Sequence, residues 1–97
     1  MQSKHYLTKG HQRFAKLLSS CPELFEFWDF SEGSMKADEL SDAIGYMSRG
    51  EQIMAKFFAA VWWGKNSWNF DLIEAAGSLD RSNREIVSKW LADPFWP

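Results

Sequence analysis

The chain has 97 residues, of which 45% are hydrophobic, 16% aromatic and 25% charged, with a formal net charge of −2. That length suits one domain with one core. The six Trp and eight Phe each stabilise by about 1.5–3 kcal/mol when fully buried, which excludes disorder as the main state.

The single cysteine, Cys21, excludes an internal disulfide and fits a reducing compartment. There is no run of about 18 apolar residues to span a membrane. The first residues lack the apolar core of a signal peptide, so the expected location is cytoplasmic. Charge is unevenly spread. Residues 1–21 carry Lys4, Lys9, Arg13 and Lys16 without an acid, a net +4. Residues 22–47 carry Glu23, Glu26, Asp29, Glu32, Asp38, Glu39 and Asp42 against Lys36 alone, a net −6. The simplest expectation is that the basic segment lies near the acidic one within the fold. The alternatives are a basic patch for nucleic acid and an acidic ridge facing a basic partner. Four basic side chains are few for a nucleic-acid footprint.

The first helix is expected from Lys4 or Thr8 to Ser20, with Leu7, Phe14, Leu17, Leu18 and Cys21 on one stripe. Gly10 weakens its early part by about 1 kcal/mol relative to Ala. Ser20-Cys-Pro-Glu23 has the spacing of a capping box, with Pro22 acceptable in a first turn. The stretch it opens, Glu23 to Phe30, is ambiguous. Phe25 and Phe27 alternate with Glu26 as in a strand, whereas Leu24, Phe27 and Trp28 share a helical face. The cap, and the lack of a second strand candidate, favour a short helix. Ser31-Glu-Gly-Ser34 is a polar loop. A third helix is expected over about Lys36 to Met47, with Ala37, Leu40, Ile44 and Met47 inward and Gly45 near its end.

Ser48 to Gly64 forms the centre of the expected fold. Ser48 and Glu51 have capping-box spacing, and Gly64 suits a left-handed residue after the last turn. Ile53, Phe57, Val61 and Met54, Phe58, Trp62 make two adjacent apolar rows, widened by Ala55, Ala59 and Ala60. Only Gln52 and Lys56 keep a polar strip, so this helix should be buried on most of its circumference. After a tight connection at Lys65-Asn66-Ser67, Trp68 or Asn69 leads into a helix over Phe70–Leu79, with Phe70, Ile73, Ala76 and Gly77 as its packed face. Asp80 is a good N-cap for the last helix, with Ile86, Val87, Trp90 and Leu91 as its stripe. Asp93-Pro94 ends it. The rings of Phe95 and Trp96 are expected to pack back near Trp90 and the central helix, the alternative being insertion into a second subunit. The connections imply mostly antiparallel neighbours. The expected fold is therefore all-α, a single domain of about five helices around residues 48–63.

Ser48-Arg-Gly-Glu51, Met54, Phe57, Val61-Trp62, Phe70-Asp-Leu-Ile-Glu-Ala-Ala76, Leu79-Asp80, Arg84, Trp90 and Asp93-Pro-Phe-Trp-Pro97 form a pattern over residues 48–97. It resembles small bacterial helical proteins of unknown function, of the kind carried on mobile elements or gene cassettes. The resemblance implies a compact helical domain and a bacterial source, and no activity.

No catalytic constellation emerges. His5 and His11 are six apart, off the geometry that lets two ligands share a metal, and Cys21 is alone. Cys21 reads as a small core residue. The pairs Glu23/Glu26 and Asp38/Asp42 have the spacing of solvated helix faces. No metal or cofactor is therefore expected. The aromatic surplus is the better clue, because such rings are enriched at interface centres. Trp62, Trp63, Trp68, Trp90, Phe95 and Trp96 are candidate interaction residues, and Lys4, Lys9, Arg13 and Lys16 a candidate basic patch. The leading expectation is a non-enzymatic protein-interaction module: a homodimer, small inhibitor or adaptor. The alternatives are a small-ligand domain with a pocket among Trp62, Trp63, Trp68 and Trp90, and a weak nucleic-acid binder.

Overall fold

The computed structural model describes residues 8–97. Lys4, His5, Leu7 and a helix start at Lys4 lie outside the described residues. The chain order is α1 (Lys9–Leu18), a 3-10 helix (Pro22–Phe27), β1 (Trp28–Asp29), β2 (Ser34–Met35), α2 (Ala37–Ile44), α3 (Arg49–Trp63), α4 (Leu72–Ser78) and α5 (Arg81–Ala92). The protein is thus mostly helical, as expected, with one short two-stranded hairpin added.

The middle of the fold is α3. Its start is the anticipated capping box: Ser48 Oγ accepts from the Glu51 N–H at 3.3 Å, and Glu51 Oε1 accepts from the Ser48 N–H at 2.9 Å. Two otherwise orphaned backbone donors are satisfied in this way. Gly64 closes the helix at φ 71°, in the left-handed region, where a Cβ would be strained. Between these ends Ile53, Met54, Ala55, Phe57, Phe58, Ala59 and Val61 are buried. Gln52, on the polar strip, donates its side-chain amide to the carbonyls of Ile44 at 2.9 Å and Met47 at 3.2 Å. It thereby ties down the end of α2 and the turn leading into α3.

The other elements cover this helix. In α1, Thr8 caps the start by accepting from the His11 N–H at 2.9 Å, and Phe14 and Leu18 are completely buried. The capping box expected at Ser20 does not form. The following helix begins at Pro22 with Cys21 as its uncapped N-terminal residue, and it is a 3-10 helix. Three residues per turn put Leu24 and Phe27 on one side, and both are buried while Phe25 is exposed. The second strand candidate missing from the sequence is Ser34-Met35, paired antiparallel with Trp28↔Met35 and Asp29↔Ser34. Its turn is organised by Asp29. The Asp29 carboxylate accepts from the Ser31 hydroxyl at 2.7 Å and from the Ser31 and Glu32 N–H groups at 3.1 Å each. These bonds, the Ser31 hydroxyl foremost, hold the carboxyl below its ordinary value of 3.8.

The fourth helix differs from expectation in its entry and in its face. Asp71 is its cap, accepting from the Glu74 N–H at 2.9 Å. Asn66 clasps the connection by bonding both backbone groups of Phe70. Ala75 and Leu79 are the buried positions, whereas Ile73 is 81% exposed. Ala76 is exposed as well, and a Cβ added at Gly77 would meet nothing within 4 Å. Docking against α3 turned α4 to a different face from the one its apolar residues suggested. Asp80 caps α5 through the Asn83 N–H at 2.9 Å, and α5 ends at Ala92 ahead of Asp93-Pro94. In α5 only Val87 is fully buried, and Leu91, placed on the inward stripe by the sequence, is 51% exposed.

Among the described residues the ion pairs are Arg13–Asp93, Arg49–Glu74 and Arg81–Glu85. None uses an acid of residues 22–47, although α1 packs on that segment through Phe14 against Trp28 and Phe30; the basic and acidic segments lie side by side without pairing, and Arg13 reaches the C-terminal end.

The two-armed box leads us to expect that Ser48→Ala costs about 0.5–2 kcal/mol, measured by equilibrium denaturation; an unchanged midpoint would place the helix start elsewhere. The Asp29 turn predicts a pH response. A carboxyl with a lowered folded value stabilises above its unfolded value and loses that contribution as pH falls through the folded one. The melting temperature should therefore drop below about pH 3.8 more steeply in the wild type than in Asp29→Asn. Parallel curves for the two proteins would remove the carboxylate from the turn's stability.

Candidate functional site

The candidate site lies between α1 and α5. α1 and α5 are joined at both ends. At one end Arg13 Nη2 donates to Asp93 Oδ2 at 3.1 Å and to the Asp93 carbonyl at 3.3 Å, and its guanidinium lies 4.3 Å above the Phe95 ring. At the other end Cys21 Sγ donates to Asn83 Oδ1 at 3.6 Å. Arg13 near Asp93 and Cys21 near Asn83 make the two helices antiparallel. Between these ties lies a cleft of about 770 Å³.

Its walls are helical stripes. On α1 and just beyond it, Arg13, Lys16, Leu17 and Ser20 line the cleft, spaced by three and four as one helix face requires. On α5 the lining residues are Ser82, Glu85, Ile86, Lys89, Trp90 and then Asp93, again one face. Leu17, Ile86, Trp90 and Phe95 supply the apolar floor, each partly buried against the core. Two of the five charged groups stay free. Arg13 is paired with Asp93 and Glu85 with Arg81 at 3.5 Å, while Lys16 and Lys89 have no acidic partner among the described residues. One free ammonium therefore stands on each wall.

The opposite side of α5 borders a smaller groove of about 160 Å³ against α4. Ala75, Leu79 and Val87 floor it, and Leu72 and Leu91, each about half exposed, form its rim. The apolar arc of α5 is thus divided: Ile86 and Trp90 face α1, Val87 and Leu91 face α4.

The candidate aromatic residues are spread over several places. Trp62 lies in a ring cluster with Phe14, Trp28 and Phe30, with His11 stacked on it at 5.0 Å and 22°. Trp28 in this cluster is 5% exposed, and its indole N–H has no hydrogen-bond partner among the described residues. Trp68 is half-buried against the core, and Trp63 is 50% exposed. Trp90 stands edge-on to Phe57 at 5.9 Å and to Trp96 at 5.7 Å, and its Nε1 donates to the Phe95 carbonyl at 2.9 Å. Neither cavity is lined by Trp62, Trp63 or Trp68. Of the basic candidates, Lys9 is exposed at the start of α1 and Arg13 and Lys16 enter the cleft.

Residues 95–97 fold back across the end of the cleft. A Cβ at Gly10 would come within 3.0 Å of Pro97 Cα, and one at Gly64 within 3.5 Å of Trp96 Cδ1. Gly10, a weak helix residue, is therefore the point where the tail crosses α1. Lys89 and Ser82 were missed from the sequence. Their signal was the second face of α5, whose polar residues recur at 82, 85 and 89 beside Ile86 and Trp90.

Cys21 is buried, and its thiol is pushed up to about 11 by burial first and by the charges of Glu23 and Asp80 next. It stays a protonated thiol at neutral pH, a poor nucleophile and metal ligand. Among the described residues no three His, Cys, Asp or Glu side chains come together in a way that could hold a metal ion. No described helix is long and apolar enough to cross a membrane. The chain matches no protein-family model, no curated protein and no solved structure.

The tail's two rings should differ in energetic weight. Phe95 is half-buried beneath Arg13, whereas Trp96 is 61% exposed. Phe95→Ala should lower stability by about 1.5–3 kcal/mol and Trp96→Ala by less than about 1 kcal/mol, with neither effect depending on protein concentration. Calorimetry at two concentrations checks this, and a concentration-dependent loss would make the tail an intersubunit arm.

Proposed function

We propose that this chain is a non-enzymatic protein-interaction module whose binding face is the cleft between α1 and α5. The observation that carries the reading is the pairing of an apolar floor with two unpaired lysines in one cleft. Interface centres combine apolar and aromatic surface with a polar rim, and Leu17, Ile86, Trp90 and Phe95 with Lys16 and Lys89 have that composition. An inhibitor or adaptor of a bacterial mobile element, acting in the cytoplasm, is the setting this reading takes from the sequence pattern of residues 48–97 alone.

A small-ligand domain is the second reading. The cleft volume of about 770 Å³ falls within the roughly 300–1,000 Å³ of ordinary ligand pockets. The rings that would hold the ligand are then Trp90 and Phe95, not Trp62, Trp63 and Trp68. Nucleic-acid binding has less support, since Arg13 is already engaged by Asp93. Self-association through the α4–α5 groove is favoured by the exposure of Leu72, Ile73 and Leu91.

One comparison tests these readings. The wild type and a cleft-filled variant, Ser20→Trp with Ser82→Trp, are immobilised side by side and exposed to extract from the native cells. Light scattering is run on both and on Leu91→Glu. A partner retained by the wild type and lost by the filled variant is the expected result. Retention by both, or by neither, counts against the cleft. A dimer abolished only by Leu91→Glu would move the interface to the α4–α5 groove.

A further inference from the structure

We infer that the occupant of the α1–α5 cleft is an acidic amphipathic helix of a partner protein. This rests on the preceding reading that the cleft is the binding face, and it adds the chemistry of what binds there. The first argument is shape. The α5 wall runs from Ser82 to Asp93, about 16 Å at the helical rise of 1.5 Å per residue. Both walls are helix faces at spacings of three and four, and their axes are antiparallel. A trough between two such walls suits a third helix, whose side chains repeat at the same spacing. It is elongated, where a compact small molecule would fill only part of its length.

The second argument is charge. The acids of the cleft, Glu85 and Asp93, are each matched by an arginine. The ammonium groups of Lys16 on one wall and Lys89 on the other have no acidic partner among the described residues. A bound helix therefore meets one positive charge on each flank and an apolar floor beneath. The complementary helix carries Leu- or Phe-like residues three or four apart on its lower face and a Glu or Asp on each side of that row. A basic or neutral helix would leave both ammonium groups without partners at the edge of a desolvated surface, which disfavours it. Long Lys side chains also lay their methylene stems on apolar surface while keeping the charge outward, so Lys16 and Lys89 can cover the occupant's edges.

The test is selection of random peptides displayed on phage against the full chain, followed by amide chemical-shift mapping of the selected peptides. Wild type is compared with Lys16→Glu/Lys89→Glu, whose exposed positions leave the fold intact, as circular dichroism would verify. The expected peptides carry acidic residues flanking an apolar row at helical spacing, become helical on binding and shift amides of both α1 and α5. The double variant should bind them roughly tenfold more weakly at low salt, since two exposed charge pairs become like-charge contacts. Neutral or basic peptides that bind in the cleft and ignore the charge reversal would overturn the acidic partner and leave the cleft reading standing. Selected peptides that map elsewhere, or no selected peptide at all, would overturn both. A single-stranded oligonucleotide is added as a control polyanion. If it shifts the cleft amides and no peptide does, the site is for nucleic acid and the inference fails.

Discussion

The constraint on which this structure depends is the apolar circumference of α3. A helix that buries seven of its fifteen residues cannot face water on more than a narrow strip, so it must be covered from several directions. The covering elements are short: eight residues in α2 and seven in α4. Isolated helices below about 12–15 residues are marginal in water. Such elements persist here because α3 offers them a surface. Their ends are fixed by side chains: Thr8, Asp71 and Asp80 at N-caps, and Gln52 and Asn66 at connections. Each of those bonds satisfies a backbone group that the short helix would otherwise leave unpaired.

The aromatic surplus is explained chiefly by this covering task. Phe14 and Phe58 are completely buried and meet edge-on at 5.8 Å. Trp28 and Trp62 extend the same cluster. Large rings give a short chain much buried area per residue. The indole N–H of Trp28, without a partner among the described residues, is a cost of that solution, since a buried donor without an acceptor loses about 1–3 kcal/mol. The apolar surface left exposed is what the packing did not use. Part of it lies on both sides of α5, because this helix presents a wide apolar arc and only Val87 is buried in the core. One flank becomes the lysine-edged cleft with α1 and the other the smaller groove with α4.

Local signals in the sequence were sufficient where the interaction itself was local. Ser48 with Glu51, Gly64, Asp80 and the Asp93-Pro94 stop all act within one turn of chain, and each stands in the structure where its spacing placed it. The same holds for the burial of α3, because an apolar surface that wide has one outcome whatever covers it. The paired strands at residues 28–29 and 34–35 were not legible. Each is two residues long, too short for an alternating pattern, and the local bonds of Asp29 to Ser31 and Glu32 mark a turn without marking the strands beside it. The 3-10 geometry of residues 22–27 likewise hides behind apolar residues that suit a helix or a strand.

What the sequence by itself determined was therefore the identity of the central helix, most helix ends and the helical character of the protein. The tertiary structure decided which faces the flanking helices bury and which residues meet across the chain. Ile73 faces water while Ala75 is buried, because α4 is short and its rotation follows the surface of α3 and the Arg49–Glu74 pair at 2.6 Å. Arg13 reaches Asp93, eighty residues away, and not the acidic run that follows it in sequence. The lysine-edged cleft is a product of the same kind of contact. Lys16 and Lys89 lie on helices far apart in the chain, and no local pattern encodes how two such helices sit against each other.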